Sequence, residues 1–186
     1  MLFMKPLGVS TSLISFDTII QKADLKQGQL VADFGCGNSL FFLYALSTLV
    51  GSEGKVFGID ILPDIIQGLE RDINHHKVQG IEISLGNLNN HCGVSITDKA
   101  LDRAFLINTL HQSSDTVSML QEVSRMLKPG ALLIIVDWEL KPSPLGPHTD
   151  RRISLESITN SAEIAGLKPK ESFKAGEYHY GAILQK

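Results

Sequence analysis

Three observations predict an α/β fold: a doubly wound, Rossmann-like seven-stranded sheet, mostly parallel with an antiparallel C-terminal strand. Strand-like apolar runs alternate with amphipathic helical segments along the 186 residues. A glycine turn, Gly35-Cys36-Gly37, stands directly behind the first of these runs. The last two runs are separated only by a short turn around Gly176, too short for a right-handed crossover, so they pair antiparallel and leave an antiparallel strand at the sheet edge.

The elements follow in order. Leu13, Phe16, Ile20 and Ala23 recur at helical spacing behind Ser12, with Gly28 ending the segment. Gln29 to Phe34 reads as a strand entering the glycine turn. Ser39 to Val50 is apolar on nearly every side, which suits a helix covered on two faces. Lys55 to Ile59 is a second strand, and Pro63 opens a helix with Ile65, Ile66, Leu69 and Ile73 inward and Gly80 beyond its end. Ile81 to Leu85 is a short strand. The loop from Gly86 to Lys99 is too rich in Asn and Gly to be core, and Leu101 to Ile107 is again a strand. Ser114 and Asp115 open a helix with Leu120, Val123 and Leu127 on one face, closed by Lys128-Pro129-Gly130. Ala131 to Trp138 has the near-continuous apolar run of a strand buried on both faces. A proline-rich connector, Lys141 to Pro147, leads to a helix from Ser154 to Ala165. Strands near Lys168 to Phe173 and Tyr178 to Leu184 complete the chain.

Composition narrows the function classes. With 43% apolar and 20% charged residues, the chain is predicted to form one folded domain over 1–186. Seventeen Lys and Arg against twenty Asp and Glu leave a formal charge of -3, which disfavours nucleic acid as the main partner. Two cysteines cannot build a disulfide framework, and the first ten residues lack the apolar core of a signal peptide. The apolar stretch Leu40 to Val50 is too short to cross a bilayer, so the expected setting is cytoplasmic, with no membrane partner.

In open α/β sheets a ligand lies at the carboxyl ends of the strands, which directs attention to Asp33-Phe34-Gly35-Cys36-Gly37. Two glycines let the backbone turn and approach a ligand closely. Asp60 ends the second strand, where a carboxylate can accept both hydroxyls of a ribose, as in NAD or another adenosine cofactor. Asp33 discriminates between them. A pyrophosphate at the turn would meet an unpaired carboxylate, whereas the ammonium and sulfonium of S-adenosylmethionine (SAM) would be attracted. The dinucleotide fingerprint also fails by count, because its third glycine falls on Leu40. Asp33-Phe34-Gly35 spells the kinase magnesium tripeptide without any accompanying kinase motif, and His75-His76 and His91-Cys92 lack metal-ligand spacing.

With these residues in view, VADFGCGNS followed by VFGIDILPDII resembles the first two motifs of the class I SAM-dependent methyltransferases. SRMLKPGALLIIVDW resembles the segment these enzymes carry before and along their fifth strand. The similarity runs from about Leu25 to the C-terminus and is closest to the small-molecule, quinone-biosynthesis-like branch. It implies that Gly35, Cys36 and Gly37 line the methionine part of SAM, with Asp33 near its ammonium. It further implies that Asp60 takes the ribose hydroxyls, Ile61 packs on the adenine, and Asn87 and Leu88 flank that ring. Asn108 would face the methionine end and the methyl group. Ser39 and Asn87 depart from the Gly and Asp usual at these places, though an Asn oxygen still accepts from an amino group.

Displacement at a sulfonium has a neutral thioether as leaving group, so alignment and exclusion of water carry most of the catalysis. A hydroxyl or carbon-acid acceptor would need a base, and His111 is the candidate. The small-molecule acceptor would be covered by Met1 to Ser12, within an N-terminal helical cover at 1–28, and by the insertion at 139–152. Arg151 and Arg152 in that insertion either meet an anionic acceptor or form a solvated helix entry. Both covers are short, leaving the pocket open or completed by the second subunit of a homodimer. The rivals are a nicotinamide-dependent oxidoreductase and a SAM-binding protein without transfer activity.

Overall fold

The computed structural model describes residues 13–186. Its strands are β1 (Leu30–Phe34), β2 (Lys55–Asp60), β3 (Ile81–Leu85), β4 (Leu101–Ile107), β5 (Leu127–Trp138), β6 (Lys168–Lys174) and β7 (His179–Gln185). They form one sheet in the order β3-β2-β1-β4-β5-β7-β6. The first five pair in parallel, and β7 runs antiparallel to both of its neighbours. The antiparallel strand is therefore not at the edge, as expected from the sequence, but inside. Burial gives the reason: β7 is buried along nearly its whole length, while β6, with its lysines and glutamate, is almost wholly exposed.

Helices α1 (Phe16–Ala23), α2 (Leu40–Val50) and α3 (Pro63–His76) cover one face, and α4 (Thr116–Met126) and α5 (Leu155–Ile164) cover the other. On the first face, Val31, Phe105, Ile134 and Val136 meet Ile19, Phe42, Leu46 and Leu69. On the second, Phe34, Leu106, Leu133 and Ile135 meet Leu120, Val123, Ile158 and Ala162. Alternate residues of the central strands thus feed two cores, the reason their sequences are apolar without a break.

Several local expectations are corrected. α1 is capped by Ser15, whose hydroxyl accepts from the Thr18 N–H, and it ends at Asp24 in the left-handed conformation. Ser12, expected as the cap, lies outside the described residues, and Gly28 instead sits at the approach to β1. α2 is covered on one face only: Phe42, Leu43, Leu46 and Val50 are buried while Phe41 and Tyr44 are more than half exposed. Leu127 is not on a helix face. It opens β5 opposite Leu101, and Lys128-Pro129-Gly130 sits at a register shift inside that strand, where Pro129 has no ladder hydrogen bond to lose. The 86–99 loop contributes Leu88, Val94 and Ile96 to the core. Buried Glu122 holds it there by accepting from the Cys92 and Val94 N–H groups, while Arg125 donates to the Val94 and Ile96 carbonyls. No helix among the described residues is long and apolar enough to cross a membrane.

Candidate active site

Strand succession reverses between β1 and β4, which opens a crevice at their carboxyl ends. The glycine turn is tied to β2 because the Gly35 and Cys36 N–H groups both donate to the Ile59 carbonyl, at 2.7 and 3.1 Å. Gly35 has φ +72°, and a Cβ placed there would lie 2.5 Å from Thr109 Oγ1. That hydroxyl is held by the Phe34 and Ile107 carbonyls, each at 3.1 Å. Gly37, at φ +53°, has open space where a Cβ would point.

Asp60 braces this turn. Its Oδ2 accepts from the Gly37 N–H at 2.9 Å and its Oδ1 from the Leu62 N–H at 3.1 Å, so both oxygens are oriented while free lone pairs remain for a ligand. Asp33 is buried, and its carboxyl accepts no hydrogen bond from a described residue. Burial, with the Asp60 charge as a second cause, pushes its carboxyl up to about 7. A cation delivered beside Asp33 would supply the partner that no described residue does. Cys36 turns its thiol into the core beneath the loop, where burial and then the two aspartates push its ionisation upward, so only its backbone faces the site.

A cleft of about 370 Å³ brings together Gly35, Gly37, Asp60, Ile61, Asn87 and Leu88. Ile61 and Leu62 form an exposed apolar lip. Asn87 Oδ1 accepts from the Asn89 N–H at 3.0 Å, shaping the loop. Leu62, Ile65, Thr109, Gln112 and Met119 also line the cleft, and none was singled out from the sequence because each reads locally as ordinary helix or loop.

Asp33, Cys36, Asn108 and His111 stand outside that lining. Asn108 adopts φ +56° at the end of β4, its N–H donating to Val136, and its Oδ1 is buried with no hydrogen-bond partner among the described residues. Asn tolerates this left-handed backbone, which leaves a buried acceptor without a described partner at the carboxyl end of β4. His111 follows on a short 3-10 turn, Leu110–Gln112, with Nδ1 2.9 Å from Asp137 Oδ1. Asp137 was missed by sequence reasoning; the available signal was one acid within the otherwise apolar run LLIIVDW.

The insertion after β5 corrects the expectation for one of its two arginines. Arg152 is buried and donates to the carbonyls of Pro147, Glu139, Lys141 and Leu145 and to the Ser143 hydroxyl, with its guanidinium 5.2 Å from the Trp138 ring. It is consumed in folding the loop, neither free for an anion nor solvated. Arg151 alone is exposed.

Residues 25–178 match a family model described as a methyltransferase domain. A demethylmenaquinone methyltransferase from Geobacillus sp. (strain WCH70) is 23% identical over 142 residues, covering 73% of this chain and 58% of that protein. The chain spans 39 to 58% of the length of the first curated relatives that it matches. Among solved structures, a SAM-dependent methyltransferase from Aquifex aeolicus superposes with a TM-score of 0.84 at 27% identity, over 92% of this chain and 89% of the other. A type 11 methyltransferase from Sulfolobus solfataricus gives 0.71 at 22% identity, over 94% of each chain, a likeness of fold.

Proposed function

Because the chain belongs to the methyltransferase domain family, within the class I SAM-dependent enzymes, we propose that it transfers a methyl group from SAM to a small-molecule acceptor by in-line displacement. The observation that carries this reading is the pairing of an oriented carboxylate at Asp60 with a buried, donor-free carboxyl at Asp33 on either side of one glycine turn. Such a site suits a ribose and a cation and repels a diphosphate. In this proposal Asp60 takes the ribose hydroxyls, Ile61 packs on the adenine, and Asn87 and Leu88 border that ring. The Gly35–Gly37 backbone, Asp33 and Asn108 hold the methionine end. Bound SAM supplies an electrophilic methyl on sulfur. The chain's own residues orient it, exclude water, and offer His111 as proton acceptor.

A small molecule is favoured over a polynucleotide by the net charge of -3, and the relatives named as demethylmenaquinone methyltransferases suggest a quinone-like acceptor. One catalytic domain in a cytoplasmic setting, with 139–152 covering the acceptor, completes the proposal. A thermal-shift comparison tests it. SAM at ~100 times its dissociation constant is expected to raise Tm by roughly 5–11 °C, with NAD(H) inert. A rise with NAD(H) alone would reverse the assignment.

The pH dependence of binding is a second expectation. A carboxyl raised to about 7 in the folded protein keeps its proton where the unfolded chain, at 3.8, has lost it. The ligand-free protein therefore loses stability as pH climbs from about 4 through 7. A cation that binds ionised Asp33 must displace that proton below pH 7. The Kd for SAM is expected to weaken about 25-fold between pH 7.5 and 5.5 and to level off above 7.5. Calorimetric titration across this range checks it, and Asp33→Asn should bind weakly with a flattened profile.

A further inference from the structure

We propose that Asp137 is a positioning residue for His111, and that the group methylated is protic, a hydroxyl or carbon acid whose proton passes to His111 Nε2. This rests on the methyl-transfer reading above. Asp137 is fully buried, and its carboxylate gathers three donors: His111 Nδ1 at 2.9 Å, the His111 N–H at 3.2 Å and the Trp138 N–H at 2.8 Å. A ring nitrogen facing a carboxylate carries the hydrogen, so the tautomer is Nδ1–H and Nε2 holds the free lone pair. Nε2 has no hydrogen-bond partner among the described residues, and His111 lies three residues beyond Asn108, whose own side-chain oxygen is orphaned. A backbone carbonyl or amide would brace the turn at lower desolvation cost than a buried carboxylate. What the carboxylate adds is stabilisation of an imidazolium, needed only if the ring takes up a proton.

The neighbouring ionisable groups do not compete for that proton. Tyr180 lies opposite Asp137 on β7 and is committed to the Ile153 carbonyl; burial and Asp137 push its ionisation upward. His179 faces Trp138 on the same strand, with Arg152 and Glu139 nearby, and burial holds its pKa below the usual value against the opposing pull of Asp137. In the transfer, the acceptor atom forms a bond to the methyl carbon while the carbon–sulfur bond breaks with its electron pair remaining on sulfur. The acceptor's proton goes to Nε2, leaving imidazolium beside Asp137 and a neutral thioether, and the proton is then released to water.

Three measurements test this together. Nitrogen-15 NMR of His111 should show a protonated Nδ1 and an unprotonated Nε2 in the wild type, with the proton redistributed toward Nε2 in Asp137→Asn. A protonated Nε2 in the wild type would overturn the proposal. With radiolabelled SAM and 1,4-dihydroxynaphthalene as probe, Asp137→Asn and His111→Gln should each lower kcat by about 10²–10⁴, with little change in KM or in SAM affinity and no further loss when combined. If Asp137→Asn does not fold, His111→Gln and the wild-type spectrum decide alone. Failure of the wild type to methylate the probe while binding SAM overturns the protic-acceptor assignment. Failure to bind SAM at all overturns instead the reading beneath it.

Discussion

In Asp60→Ala, affinity for SAM is expected to fall by a factor of about 10²–10⁴, the equivalent of two hydrogen bonds to a charged acceptor. The cause is twofold. In the proposed complex the ribose loses its carboxylate, and the Gly37 and Leu62 N–H groups, now fixed at 2.9 and 3.1 Å from that carboxylate, lose the brace that holds the turn open. Asp60→Asn keeps one acceptor oxygen and should fall between the two. Isothermal titration at pH 7.5, with circular dichroism to establish folding, makes the comparison. Because the Asp60 charge is one cause of the raised Asp33 carboxyl, the same substitution should also move the midpoint of the binding–pH profile downward. Unchanged affinity in Asp60→Ala would remove the ribose from this position.

Gly35→Ala should be the most damaging alanine substitution in the glycine turn. An alanine there bears the left-handed φ of +72° and places a methyl 2.5 Å from Thr109 Oγ1, which cannot withdraw without leaving the Phe34 and Ile107 carbonyls. Conformational strain of about 1–2 kcal/mol and overpacking of about 1–3 kcal/mol combine to a loss of roughly 2–5 kcal/mol, or about 5–20 °C in Tm. Gly37→Ala is the control: its φ of +53° meets the same backbone penalty, yet nothing lies within 4 Å of the new methyl, so only that strain of about 1–2 kcal/mol is expected. Thr109→Ala removes the two nearest clashing atoms and should restore part of the loss when combined with Gly35→Ala. Calorimetric melting of the four variants separates the contributions. Equal losses for Gly35→Ala and Gly37→Ala would show that conformation alone, without the Thr109 contact, requires glycine at the first position.

Features written in contiguous residues are legible in the sequence itself. The parallel alternation, the bounds of β3 and β4, the glycine turn and the acid ending β2 all follow from local periodicity and from the few residue types that tolerate a given backbone. Gly35, Gly37, Asp60, Ile61, Asn87 and Leu88 converge on one cleft because a βα repeat must deliver the ends of its strands to one side of the sheet. What stayed hidden depends on partners distant in the chain. Asp137 meets His111 across 26 residues, and Thr109 meets the Phe34 carbonyl across 75. Arg152 spends its donors on a loop that no periodicity describes, and β7 sits inside β6 because burial is a property of the assembled sheet. Local sequence determines which backbone conformations and elements are favourable. Which charge finds which partner is decided only when packing removes water from both, since the desolvation that compels a buried carboxylate to be paired does not exist in the unfolded chain.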